Sequence, residues 1–396
     1  MAGGIEAIAA TIGVDLQRRL PGQNKKQREG LALLTATMLD VRSANLMDVA
    51  ASLPRDAERL DMRYQWISRL LGNELIDTDE VMAPFASELL QRVCADGRQI
   101  ILIIDQTRAN DTQQAIVVAA RVGGRSLPIA WRVKETQGAI GFPEQKAALE
   151  VALALLPEGA RVVLMGDRFY GSPDLIAWCR KRGWDWRLRL KADLLVFEDG
   201  GESTLAECFA RGERMLNGVE LTAKRVATNI GMVHENGHPE PWFIAMSDVP
   251  TTAKTFDYGL RWGIEAMFSD FKSRGFGLED SHLQRVDRMD KLMLVMTLAL
   301  YWAVSTGMWT AVHAATPAEK RSRQPSEKNR AQPDVVLQAR PAPHSDLPAE
   351  PLRLTQALVG LEKLMDGKVK GLAGLASGPR IAIFGLSANG YLITVG

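Results

Sequence analysis

Two apolar runs, each closing on an aspartate, constrain the fold more than anything else in the chain. Residues 99–104 lead into Asp105 in QIILIIDQT, and residues 161–165 lead through Gly166 to Asp167 in RVVLMGDRFYGSPDL. In the first run both alternating sets are apolar, Ile101 with Ile103 and Leu102 with Ile104. A strand that is apolar on both sides has to be covered on both sides, which calls for a sheet inside a layered α/β structure. Each acid then sits at the C-terminal end of a buried strand, where α/β sheets gather their ligands. A buried carboxylate is costly unless it is paired or holds a cation.

The segments around these runs set the order of elements. Residues 114–122 and 127–133 read as strands joined by the turn GGRS at 123–126. Pro143 opens a helix over 144–156 that Pro157 and Gly159 close. A helix over 173–181 and a strand over 184–190 come after the second acid. Three strands in hairpin order and then α/β crossovers give a mixed sheet. The predicted fold class is α/β, with a ribonuclease-H-like mixed-sheet core, a β-rich insertion and a helical N-terminal domain.

The expected domain plan has four parts. Residues 1–95 form a helical DNA-binding domain, with apolar-periodic segments at 30–39, 45–53 and 62–71. Arg55, Arg59, Arg63, Arg69, Tyr64 and Trp66 lie in or near the last of these. The alternative there is a helical bundle with a solvated basic face. Residues 96–192 and 258–312 make the catalytic core. Residues 193–257 make the insertion, with strands expected at 194–197, 219–227, 231–234 and 242–246. Residues 313–396 are a Pro-rich linker and a C-terminal segment, with dimerisation as its candidate role.

Composition narrows the classes only a little. Of 396 residues, 46% are hydrophobic and 24% charged, as in an ordinary globular protein, and the net charge of +1 neither favours nor excludes nucleic acid. Three separated cysteines form no C-x-x-C pair, and the N-terminus has no basic stretch ahead of its apolar residues. Both point to a cytoplasmic protein. Residues 292–310 carry no charge and are long enough to cross a bilayer. The reading adopted is a buried core helix, with no membrane partner.

Residues 258–272, YGLRWGIEAMFSDFK, read as one amphipathic helix. At about 100° per residue, Tyr258, Arg261, Glu265 and Lys272 fall within one arc, and Leu260, Ile264, Met267, Phe268 and Phe271 fall on a neighbouring one. One carboxylate flanked by two cations and a phenol suits a site that handles phosphate and metal. Taken singly, Asp105 or Asp167 reads first as the cap of its turn or helix. Two such acids together with Glu265 point to a divalent-metal site of hard oxygen ligands.

The spacing Tyr258-x2-Arg261-x3-Glu265-x6-Lys272 resembles the Tyr-Arg-Glu-Lys signature of the insertion-sequence-four family of bacterial DDE transposases. The resemblance covers about residues 100–310 of this sequence. It implies a cut-and-paste DNA transposase with a catalytic triad of Asp105, Asp167 and Glu265 holding two Mg2+ ions, with Mn2+ as a substitute. It implies that Tyr258, Arg261 and Lys272 grip the transposon-end strand. It also implies an aromatic residue that steadies a flipped base during hairpin formation, for which Trp242 is the candidate; a core tryptophan is the other reading. The expected partners are inverted-repeat ends, target DNA and a second copy of the chain, with the protein on the bacterial nucleoid when bound. The alternatives are a hydrolytic ribonuclease-H-like nuclease and a domesticated DNA-binding protein.

Overall fold

The computed structural model describes residues 2–313 except 56–58, 199 and 235–238. The expectations for residues 313–396, a linker and a dimerisation segment, therefore fall almost wholly outside the described residues. The chain divides into a unit of residues 1–299 and one of residues 300–396. The first unit holds every described strand and all the expected site residues.

Five helices come first: α1 (Ala2–Arg19), α2 (Lys25–Val41), α3 (Leu46–Ser52), α4 (Leu60–Leu71) and α5 (Thr78–Val93). Short polar side chains fix the starts of three of them. Asn24, Asn45 and Asp77 each accept a hydrogen bond from a backbone N–H in the first turn of the next helix. Leu31, Leu34, Met38 and Leu39 of α2 are buried, together with Ile67 and Leu71 of α4. The start of α5 is tied to strand residue Arg132 and to Asp290 further along the chain by charge and hydrogen bonding. Arg132 grips Asp79 through both terminal nitrogens, at 3.0 and 2.8 Å. Thr78 donates to Asp290 at 2.9 Å.

The core comprises β1 (Ile100–Arg108), β2 (Gln113–Val122), β3 (Arg125–Glu135), α6 (Phe142–Ala154), β4 (Val162–Gly166), α7 (Pro173–Lys181) and β5 (Asp185–Arg189). β1 pairs antiparallel with β2 and parallel with β4, and β4 pairs parallel with β5. Every residue of β4 is buried, as expected of a strand covered on both faces.

The insertion carries β6 (Leu195–Glu198), β7 (Gly201–Thr204), α8 (Leu205–Ala210), β8 (Met215–Leu221), β9 (Val226–Val233) and β10 (Trp242–Met246). Its strands extend the core sheet. β10 pairs antiparallel with β5, and the full order is β3-β2-β1-β4-β5-β10-β9-β8-β6-β7. The single strand expected at 219–227 is instead the end of β8, a turn and the start of β9. The chain reverses at TAKR, where Thr222 and Arg225 take φ of 55° and 53°. No glycine, proline or asparagine marks that turn in the sequence, so the apolar pattern reads through it. α8 is a further departure from the expected plan; a Thr204–Glu207 capping box starts it.

After α9 (Thr252–Phe256), the expected single helix over 258–272 is two pieces. Asp257–Trp262 is a 3-10 helix, and α10 (Gly263–Phe271) is α-helical, with Lys272 outside it as the C-terminal cap. Packing explains the change of winding. A Cβ on Gly263 would stand 2.9 Å from the Ser126 hydroxyl and 3.3 Å from the Arg125 backbone, so the chain lies hard against β3 at the junction. Arg125 of β3 pairs with Asp270 near the other end of α10. Last comes α11 (Val286–His313), long and apolar enough to cross a membrane; residues 291–299 are buried throughout.

Candidate active site

Strand register builds the first half of the site. Ile104 pairs with Gly166 on neighbouring parallel strands. Asp105 and Asp167, each one residue further on, therefore stand side by side at the same edge of the sheet. Asp105 is 9% exposed; its Oδ1 accepts the Gln106 N–H at 2.8 Å. Asp167 opens a tight turn: its Oδ1 accepts the Phe169 N–H at 2.9 Å, and its carbonyl accepts the Tyr170 N–H at 3.0 Å. Asp167 thus does cap its turn, but with one carboxylate oxygen only.

Glycines make the turn fit. A Cβ on Gly171 would lie 2.1 Å from the carbonyl oxygen of Arg189. No side chain can be accepted there while the turn rests on the end of β5.

The second half comes from the 3-10/α junction. Arg261 donates from Nη1 to Asp105 Oδ2 at 2.9 Å and from Nη2 to Glu265 Oε1 at 3.0 Å. One buried guanidinium thus joins the first acid to the third. Burial pushes the Asp105 carboxyl up to about 7; Arg261 pulls it down, while Asp167 and Glu265 push it further up. The three acids therefore share one electrostatic neighbourhood, although they lie 62 and 98 residues apart along the chain. Asp105 is buried, Asp167 half-buried and Glu265 exposed; acids that raise a neighbour's carboxyl in this way are steadied by a cation, and hard carboxylate oxygens suit Mg2+ or Mn2+. Among the described residues no three acids, histidines or cysteines already form a ready ion cage; the guanidinium of Arg261 lies between two of the acids.

The remaining expected residues divide. Tyr258 is buried at the rim of this cluster. Its phenol is pushed up to about 12 by burial, with Arg261 pulling down and Asp167 pushing up. Lys272 stands apart from the acids and pairs with Glu279 at 3.0 Å. Trp242 is 4% exposed and packs edge-on against Tyr258, with ring centroids 5.5 Å apart, and against Phe256 at 6.4 Å. In this arrangement it is a core side chain that supports Tyr258 from behind.

Three groups at the site go beyond the residues that the sequence singles out. The Tyr170 ring is 1% exposed, and its hydroxyl has no hydrogen-bond partner among the described residues. Burial, Asp105 and Asp167 all push its phenol upward. Arg168 and Arg189 both lie near Glu240, at 3.5 and 3.6 Å, and Arg168 directly follows Asp167. Phe169 and Trp262, the residues two beyond Asp167 and next to Arg261, are 55% and 48% exposed. The signal for Tyr170 and Arg168 is present in DRFYG, which starts at the acid. Arg189 closes a strand that reads only as a strand.

Residues 138–302 match the family model of the transposase DDE domain. The match contains Asp167, Glu265 and the whole of 258–272, and it begins after Asp105. No curated protein sequence matches the chain.

Proposed function

We propose that this chain, which carries a transposase DDE domain and is a polynucleotidyl transferase or nuclease acting on DNA, is a cut-and-paste transposase of the insertion-sequence-four kind. The observation that carries the reading is that Arg261 joins Asp105 to Glu265 while Asp167 stands beside Asp105 where the parallel pairing of β1 with β4 ends.

In this reading Asp105, Asp167 and Glu265 would hold the divalent ions. Such ions, when bound, activate an attacking oxygen and stabilise the leaving one. The chain's own residues do the rest. Arg261 and Lys272 hold phosphates flanking the cut, Arg through its planar fork and Lys as a point charge. Tyr258, braced by Trp242, fixes the backbone of the Arg261 segment and offers its phenol to a phosphate oxygen. In the first step a water oxygen bonds to phosphorus as the P–O3′ bond breaks, leaving a 3′-OH and a 5′-phosphate. That 3′-OH then attacks the opposite strand to close a hairpin. Once the hairpin is reopened, the 3′-OH joins target DNA. Each exchange makes one P–O bond and breaks one, so no covalent protein intermediate is needed. Two ends must be cut together, which calls for two copies of the chain on DNA.

The test uses duplexes carrying the repeats that flank the gene. Glu265→Gln and Asp105→Asn should bind these ends and fail to cleave them in Mg2+. Cleavage by either variant at the parent rate would overturn the triad. Products joined to a target duplex separate a transposase from a hydrolytic nuclease, which would release nicked DNA only.

A further inference from the structure

Arg261 stands between two acids. Its Nη1 and Nη2 reach one oxygen each of Asp105 and Glu265, at 2.9 and 3.0 Å. A guanidinium usually meets a carboxylate through two parallel bonds to the same group. Here the fork is split between two acids. The split leaves a mark: Arg261 Nε is buried with no hydrogen-bond partner among the described residues. The Tyr170 hydroxyl, which feels Asp105, Asp167 and Arg261, is orphaned in the same way. A way out for the guanidinium is also present. Its carbon lies 5.4 Å from the centroid of the half-exposed Trp262 ring, a distance at which an aromatic face can hold a cation.

We propose that Arg261 is a placeholder cation. In the DNA-free protein it takes the position a divalent ion would share between Asp105 and Glu265, and it must leave before the ion seats. Holding both carboxylates in place, it keeps the site built. Leaving toward Trp262, it becomes free to meet a DNA phosphate. Ion binding and phosphate binding are thereby linked through one side chain. The inference rests on the triad reading above.

The experiment is Mn2+ binding by the full chain without DNA, read from the free-Mn2+ electron paramagnetic resonance signal at about pH 8. Arg261→Gln should bind Mn2+ at least tenfold more tightly than the parent. Arg261→Lys, whose single point charge cannot span both acids, should fall between them and serves if the glutamine variant does not fold. Affinity in both variants equal to or weaker than that of the parent overturns the placeholder. Absence of Mn2+ binding in every protein, or binding unaltered by Asp105→Asn and Glu265→Gln, overturns the triad reading itself, and the placeholder with it.

Discussion

Gly166 and Tyr170 are packed so closely that a Cβ on Gly166 would stand 2.8 Å from the Cβ of Tyr170. The same atom would be 3.1 Å from Ile104 and 3.2 Å from Leu188. The glycine lets the turn after β4 fold back over the strand and set Asp167 beside Asp105. Gly166→Ala should therefore lower stability by about 1–3 kcal/mol, the usual range for overpacking a tight core, as read by urea denaturation. An unchanged midpoint would show that the turn can yield.

Trp242 separates a core role from a DNA role. Trp242→Ala empties a buried space behind Tyr258 and should lower stability by about 3–5 kcal/mol in urea unfolding. Trp242→Phe keeps most of the ring and should cost less. If Trp242→Phe nicks DNA normally but cannot close a hairpin, the ring serves the flipped base as well as the core.

Lys272 is held by Glu279 in the free chain. Lys272→Ala should reduce the salt dependence of duplex binding by about one ion, as expected for a lost phosphate contact. Glu279→Ala should do the opposite to affinity, tightening binding at low salt because the lysine is released. Filter binding across a salt series reads both. Parallel lines for Lys272→Ala and its parent would remove Lys272 from the phosphate grip.

Asp290 contributes one pH dependence of stability. Burial pushes its carboxyl above the usual carboxylate range, against the pull of the Thr78 hydrogen bond and of Lys291 and Arg132. The folded protein thus binds this proton more firmly than the unfolded chain. Stability from this group is greatest below the ordinary carboxyl range and is lost as the pH rises through its raised folded value. Asp290→Asn retains an oxygen for Thr78 and removes the charge. It should be at least as stable as the parent at pH 8 in thermal unfolding, and its advantage should vanish below about pH 4, near the unfolded carboxyl value. A variant less stable at pH 8 would mean that the ionised form is stabilised by its surroundings.

Much of the core is legible in the sequence because its strands are unusually plain. The run into Asp105 is apolar on both faces, and the helix over 173–181 and the strand over 242–246 lie where their patterns place them. The expected strand end at Asp105 is not one: β1 runs on to Arg108, because Gln106, Thr107 and Arg108 go on pairing with β2 after the pairing with β4 has ended. The junction at Gly263 is not legible, because the change from 3-10 to α winding is imposed by contact with Ser126 and Arg125, residues more than a hundred positions away. The bridge from Arg261 to Asp105 is hidden for the same reason. Helical spacing shows Arg261 above Glu265 and says nothing of a partner 156 residues earlier in the chain. Trp242 is legible as a large apolar residue in a strand; its brace under Tyr258 depends on where that strand docks.

The pairing of β10 with β5 makes the insertion a guard as well as an extension. β5 ends in Arg189, whose carbonyl lies under Gly171 in the turn that carries Asp167. Without β10, the backbone of β5 would be an open edge beside that turn, inviting strand exchange with other chains. Local melting of the insertion should thus loosen the turn that carries Asp167 and expose a sticky border together. Hydrogen exchange in β10 and in the turn should rise and fall as one.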